Sequence, residues 1–145
     1  MKFLIMNGPN LNLLGLREPE IYGKQDYNAL LSLCQKVCGE LGVEMESYQS
    51  NHEGALVDKI QDCYQKIDGI VLNPAAYTHT SVAIPDALKA VSIPCVEVHL
   101  SDINAREEFR KHSFVSPVAI KTICGKGLAG YEEAIRYLYR YLTES

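Results

Sequence analysis

Three short stretches of the chain carry a dense set of groups able to move protons or grip a polar small molecule. The first holds Asn7, Asn10, Asn12, Arg17, Glu18 and Tyr22, the second Asn73, Tyr77, Thr78, His79 and Thr80, and the third His99, Ser101 and Asp102. Tyrosine and histidine side chains suit proton transfer, an arginine supplies a fixed cation, and amides and hydroxyls offer hydrogen bonds. Each residue also has an ordinary structural use. Asn10 and Asn12 suit turns, Arg17 and Tyr22 suit the surface of a loop, and Asn73 before Pro74 can shape a bend. His79 can cap a following helix and His99 can be a satisfied strand-end histidine; His52 and His112 keep such readings, at a helix start and in solvent. Position along the chain decides between the two uses.

Each stretch follows a short apolar run: Phe3-Leu4-Ile5-Met6, Gly69-Ile70-Val71-Leu72 and Cys95-Val96-Glu97-Val98. Continuous apolar runs of this length read as strands buried on both faces. Val43 to Tyr48 and Val118 to Cys124 read as two further strands. Between them the period changes to that of a helix. Asp26 can cap a helix to Leu41, with Leu30, Cys34, Val37, Cys38 and Leu41 as its apolar stripe and Gly42 as its stop. Ser50-Asn51-His52-Glu53 has the spacing of a capping box, and Leu56, Ile60, Cys63 and Ile67 continue as a second helix. Val82 to Val91 reads as a third, with Pro85 acceptable only near its start, and Ala105 to Lys111 as a short charged helix. Tyr131 to Leu142 closes the chain, with Ala134, Ile135, Leu138 and Leu142 on one face.

Alternating strands and helices imply a parallel sheet covered on both sides. The expected fold is α/β, a flavodoxin-like three-layer sandwich with a five-stranded parallel sheet in order 2-1-3-4-5, residues 1–145 forming one domain. In such sheets ligands bind beyond the carboxyl ends of the strands, at the point where the order reverses. All three polar stretches fall at that edge, and the first lies in a loop of about nineteen residues, a length usually tied to function.

Composition narrows the class. The chain has 145 residues, 47% hydrophobic and 22% charged, with a formal net charge of −4. That charge speaks against a nucleic-acid binder, which needs a basic face. No apolar run approaches the roughly 18 residues of a membrane span, and the opening apolar run meets Gly8-Pro9 too soon for a signal peptide core. A cytoplasmic protein is expected. The five cysteines, Cys34, Cys38, Cys63, Cys95 and Cys124, form no C-x-x-C pair and read as reduced, buried small hydrophobes. No metal is expected. A phosphoacceptor domain would want acids where Asn7 and Asn73 stand, and a flavodoxin would want hydroxyls in Gly8-Pro9-Asn10-Leu11-Asn12. Gly125 to Gly130 matches G-x-G-x-x-G, but only 15 residues follow, too few for the rest of a dinucleotide fold. Its glycines read as a tight turn.

The longer motifs resemble a known family. Asn7-Gly8-Pro9-Asn10-Leu11-Asn12-Leu13-Leu14-Gly15 followed by Arg17-Glu18-Pro19 and Tyr22-Gly23 is similar to the opening signature of type II 3-dehydroquinate dehydratases. Asn73 to Ala83, Glu97 to Ser101 and Arg106 to Arg110 resemble the other three signatures, in order along the whole chain. One departure is Ala75-Ala76, where many relatives carry glycine.

The resemblance implies anti elimination of water from 3-dehydroquinate, giving 3-dehydroshikimate through an enolate, with no cofactor. It places Tyr22 as the base, Arg17 as the cation that activates it, Asn10 as holder of a water at the enolate oxygen, and His99 as the acid. Glu97, two residues back on the strand, shares a face with His99 and could orient it. The resemblance gives the substrate carboxylate to the amides of Leu100 and Ser101, and the ring hydroxyls to Asn73, His79 and Arg110. It also implies a homododecamer of four trimers in which Asp86 reaches a neighbouring subunit's site. The pathway would be shikimate synthesis or quinate breakdown. Two alternatives are a non-catalytic flavodoxin-like binding module and a Schiff-base dehydratase. The first would be expected to lose Tyr22, Arg17 or His99, all present, and the second needs a lysine that no strand end carries.

Overall fold

Phe3, Leu4, Ile5 and Met6 expose no surface to solvent, which a strand achieves only when both faces of its sheet are covered. The computed structural model, which describes residues 1–16 and 25–144, shows how this is done. Five strands, β1 (Lys2–Asn7), β2 (Glu44–Gln49), β3 (Gly69–Asn73), β4 (Cys95–His99) and β5 (Lys121–Cys124), form one parallel sheet in order β2-β1-β3-β4-β5. That is the expected order. Among the described residues four α-helices flank it: α1 (Tyr27–Leu41), α2 (Glu53–Asp62), α3 (Ala83–Val91) and α4 (Ala129–Thr143). Phe3, Ile5, Val71, Val96 and Val98 face the α1 and α4 side, while Leu4, Met6, Ile70, Leu72 and Cys95 face the α2 and α3 side. This is the period-two division of a doubly covered strand.

Local chemistry sets the helix ends. Asp26 caps α1 by accepting from the Ala29 N–H at 2.8 Å, and Gly42 ends it in the left-handed region. The cysteines Cys34, Cys38, Cys63 and Cys95 are buried and unpaired, whereas Cys124, at the end of β5, is unpaired but only partly buried, contrary to expectation. Burial pushes the Cys34 thiol up to about 12 and that of Cys38 to about 11, so both stay protonated and inert at neutral pH.

Three further expectations need correction. The stripe Leu56, Ile60, Cys63, Ile67 is buried, but α2 stops at Asp62, and Gln65 turns the chain with φ 63°. The segment expected as a charged helix from Ala105 to Lys111 is instead two short 3₁₀ turns, Ile103–Ala105 and Glu108–Arg110. Its one large apolar residue, Phe109, is 66% exposed, so no buried face holds a longer helix. Its ion pairs Glu107–Arg110 and Glu108–Lys111 fit an i, i+3 spacing instead. Finally, β5 begins at Lys121, because Ser116–Val118 forms a turn.

At the carboxyl edge, Gln49, Asn7 and Asn73 stand in register across three strands. Here the loops leaving β1 and β3 press together. Gly8 donates its N–H to the Asn73 carbonyl at 2.8 Å, and a Cβ on Gly8 would lie 2.4 Å from the Pro74 oxygen. Only glycine permits that approach. On the far side of the sheet edge, Gly125 and Gly127 adopt φ 78° and 57° between β5 and α4, the tight turn expected of the G-x-G-x-x-G stretch.

Candidate active site

A cleft of about 810 Å³ opens along this edge, within the range of small-molecule sites. Asn10, Asn73, His79, His99, Leu100, Ser101 and Arg110 line it, so seven of the expected site residues are brought to one place. Arg17 and Tyr22 lie outside the described residues. Asp86, exposed on α3, does not line the cleft of its own chain. Arg106, quoted in a motif but given no role from sequence, also lines the cleft and donates from Nη1 to the Ser101 hydroxyl at 3.1 Å. Among the described lining residues the charged groups are Arg106 and Arg110, with no carboxylate. On a chain of net charge −4, such a cleft selects anions.

The floor of the cleft is a histidine held by a buried acid. Glu97 and His99 alternate with inward Val96 and Val98 on β4, which puts both on the opposite face with Cys95. Glu97 is fully buried. Its Oε2 accepts from His99 Nε2 at 2.6 Å and from the Ser113 hydroxyl at 2.7 Å. Its Oε1 accepts from the Ser116 hydroxyl at 2.6 Å and the Thr122 hydroxyl at 3.0 Å. Thr122 is its register partner on β5, and Ser113 and Ser116 come from the loop that covers this face. Burial raises the Glu97 carboxyl, but the bonds from His99, Ser116 and Ser113 outweigh that and leave it below the ordinary carboxylate value. Glu97 is therefore the anion and His99 the donor at Nε2. That leaves Nδ1 as the ring nitrogen able to exchange a proton with a bound molecule.

The other residues are held as firmly. His79 Nδ1 lies 2.8 Å from the His112 carbonyl, so Nδ1 carries the hydrogen and Nε2 is left for the cleft. His79 does not cap a helix; His112 is exposed as expected but uses its carbonyl here. Asn73 is anchored at both ends of its amide. Oδ1 accepts from the Ala75 N–H at 3.0 Å, and Nδ2 donates to the Tyr131 hydroxyl at 3.1 Å. Tyr131 in turn donates to Asn7 Oδ1 at 2.6 Å. Burial keeps the Tyr131 phenol well above its ordinary value, so it remains a donor. Asn7 therefore belongs to a buried network beneath the cleft rather than to its lining. Asn12 takes the turn role, in the 3₁₀ turn Leu11–Leu13, and Asp102 accepts from the Asn104 N–H at 2.9 Å. Glu107 lies 3.1 Å from Arg110 Nε without hydrogen-bond alignment, an ion pair only.

Ala75 occupies the left-handed region at φ 54°, which costs a residue with a Cβ about 1 kcal/mol. Glycine would carry no such strain there. Leu100 and Ser101 precede a three-residue 3₁₀ turn rather than a helix. Any anion held there depends on individual amides, the Ser101 hydroxyl and Arg106, not on a helix dipole.

Comparison with known proteins agrees with the motifs. Residues 1–139 match the family described as Dehydroquinase class II. A 3-dehydroquinate dehydratase of Dinoroseobacter shibae is 51% identical over 143 residues, covering 99% of this chain and 95% of that protein. A catabolic 3-dehydroquinase of Verticillium alfalfae is 50% identical over 141 residues, covering 97% and 94%. The crystal structure of a type II dehydroquinase from Butyrivibrio crossotus superposes with a TM-score of 0.90 at 54% identity, covering 95% of this chain and 97% of that one. With its cleft at the reversal point of a 2-1-3-4-5 sheet and its four signatures in place, the chain belongs to the class II dehydroquinase family.

Proposed function

We propose that the chain is a hydro-lyase that removes water from 3-dehydroquinate to give 3-dehydroshikimate, residues 1–145 forming one catalytic domain. The observation that carries this reading is the Glu97–His99 pair, bonded at 2.6 Å, opening on a cleft whose described charged lining is Arg106 and Arg110. The substrate is an anion, and a cleft whose described charged lining is cationic suits it. The reaction takes a proton from the carbon beside the ketone, moving the electron pair onto the ketone oxygen as an enolate. The enolate then collapses, the β-hydroxyl leaves with its bonding pair, and a proton on His99 Nδ1 converts it to water. Asn10 is assigned a water at the enolate oxygen, and Tyr22 the role of base with Arg17 as its activating cation; these roles rest on the resemblance. Asn73, His79 and Arg110 are assigned the ring hydroxyls, Leu100 and Ser101 the carboxylate.

No lysine lines the cleft among the described residues, which favours the enolate route over an imine. Buried, unpaired cysteines suit a reducing compartment such as the cytoplasm. Both pathway roles fit the geometry equally. The direct test adds 3-dehydroquinate to the purified protein and follows the ultraviolet absorbance of the conjugated product. A steady rise is expected; a folded protein giving none would overturn the reading.

We also propose the dodecamer of four trimers, with Asp86 completing a neighbour's site. The exposed position of Asp86, away from its own cleft, supports it. Tyr22→Phe and Asp86→Ala proteins should each be impaired. Refolded together, they should form mixed trimers in which some clefts combine an intact Tyr22 with a neighbour's intact Asp86. Activity above the average of the parents is expected. Native mass spectrometry showing mixed assemblies with only averaged activity would place Asp86 in its own subunit's site or outside catalysis.

A further inference from the structure

Asn51 reads from sequence as part of a capping box, yet it does no such work. The Ser50 hydroxyl accepts from the His52 N–H at 3.0 Å, and α2 starts after His52 with no side-chain cap. Asn51 instead reaches back over the sheet edge. Its Oδ1 accepts the Asn10 N–H at 3.0 Å and Gln49 Nε2 at 3.1 Å. Gln49 Nε2 also donates to the Gly8 carbonyl at 3.1 Å. The Asn51 carbonyl accepts the Tyr77 hydroxyl at 2.8 Å, and the Tyr77 ring packs on the core between the sheet, α2 and α3. Thus segments following β1, β2 and β3 are tied at a single residue.

What the tie holds is Asn10, at φ 70° and ψ −3°. A left-handed backbone is open to asparagine but not preferred by it, so the conformation persists because surrounding bonds fix it. That backbone fixes where Asn10 meets the cleft it lines. Asn51 is not among the cleft-lining residues, so it has no direct route to a bound molecule.

We propose that Asn51, braced by Gln49 and Tyr77, is a positioning residue that acts on the reaction through Asn10. The proposal rests on the role given to Asn10 above. In the full-length protein, Asn51→Ala removes the acceptor and should lower kcat about 10- to 100-fold, the cost of a misplacement near 1 Å, with KM changed less than about twofold. Asn51→Asp keeps an oxygen for both donors and should retain at least about half of kcat. Because the effect passes through Asn10, adding Asn51→Ala to Asn10→Ala should cost nothing further.

Independent losses that multiply in the double variant, or an Asn51→Ala protein with native kcat, would overturn the proposal. Asn10→Ala alone reports on the parent reading: near-native kcat there removes Asn10 from catalysis. Hydrogen exchange then still tests Asn51 by itself. The peptide spanning residues 8–14 should exchange about tenfold faster in Asn51→Ala and at the native rate in Asn51→Asp. Unchanged exchange in both would mean that Asn51 positions nothing.

Discussion

Tyr22→Phe is expected to lower kcat by 10²- to 10⁴-fold, the range typical of a lost acid–base group, while KM changes by less than about threefold. The ring remains and only the oxygen assigned to take the proton is removed, so binding should survive and turnover should not. The reason that a tyrosine needs help follows from its ordinary pKa of about 10, which leaves roughly one molecule in a thousand ionised at pH 7. A nearby guanidinium favours the ionised form, and Arg17 is the cation assigned to supply it. Arg17→Ala should therefore lower kcat as well and move the basic group's rise in the pH–rate profile to higher pH. Near-native turnover in Tyr22→Phe would remove Tyr22 from the role. An unmoved profile in Arg17→Ala would mean that the cation does not tune the base.

The fold was legible because its signals are local. The run Phe3 to Met6 marks a strand buried on both sides, and Asp26 and Gly42 mark both ends of a helix, with no need of distant residues. The cleft was legible for a second reason: in an alternating α/β chain, residues after the first, third and fourth strands must meet at one edge. His79, His99 and Ser101 could be placed there before any contact was known, whereas Arg110 came only from the resemblance.

What the sequence hid are bonds between distant residues. Tyr131 looks like the first member of an amphipathic stripe, yet its hydroxyl joins Asn7, 124 positions away, to Asn73. Asn51 sits in a local pattern that gives it no role, while its side chain accepts from Asn10, 41 positions away. Ser113, Ser116 and Thr122 carry no motif at all. Their joint function exists only once the loop before β5 folds over Glu97. Ser116 also explains why the last strand starts late, since its turn brings the hydroxyl to the carboxylate.

The Glu97 carboxylate is where that hidden network should matter most. Glu97→Gln preserves shape and is expected to lower kcat by about 10²-fold or more, with little change in KM. The amide oxygen can still accept from His99 Nε2, and the Ser116 and Thr122 hydroxyls can turn to accept from the new amide. Geometry is therefore kept while the charge is lost. Without that charge, a proton passing through His99 Nδ1 has no buried counter-ion beneath the ring. Stability should move in a direction fixed by sign. The Glu97 carboxyl lies below its ordinary value when folded, so ionised Glu97 stabilises the fold above the unfolded carboxyl pKa of about 4.3. That contribution fades as pH falls through the folded value. The variant should melt below the native protein at pH 7, and the gap should close as the pH drops below about 4. A Glu97→Gln enzyme with native kcat would make the pair structural, and His99 would have to obtain its proton without Glu97. A melting gap that stays constant from pH 7 to 3 would show that the four bonds do not hold the carboxylate charged.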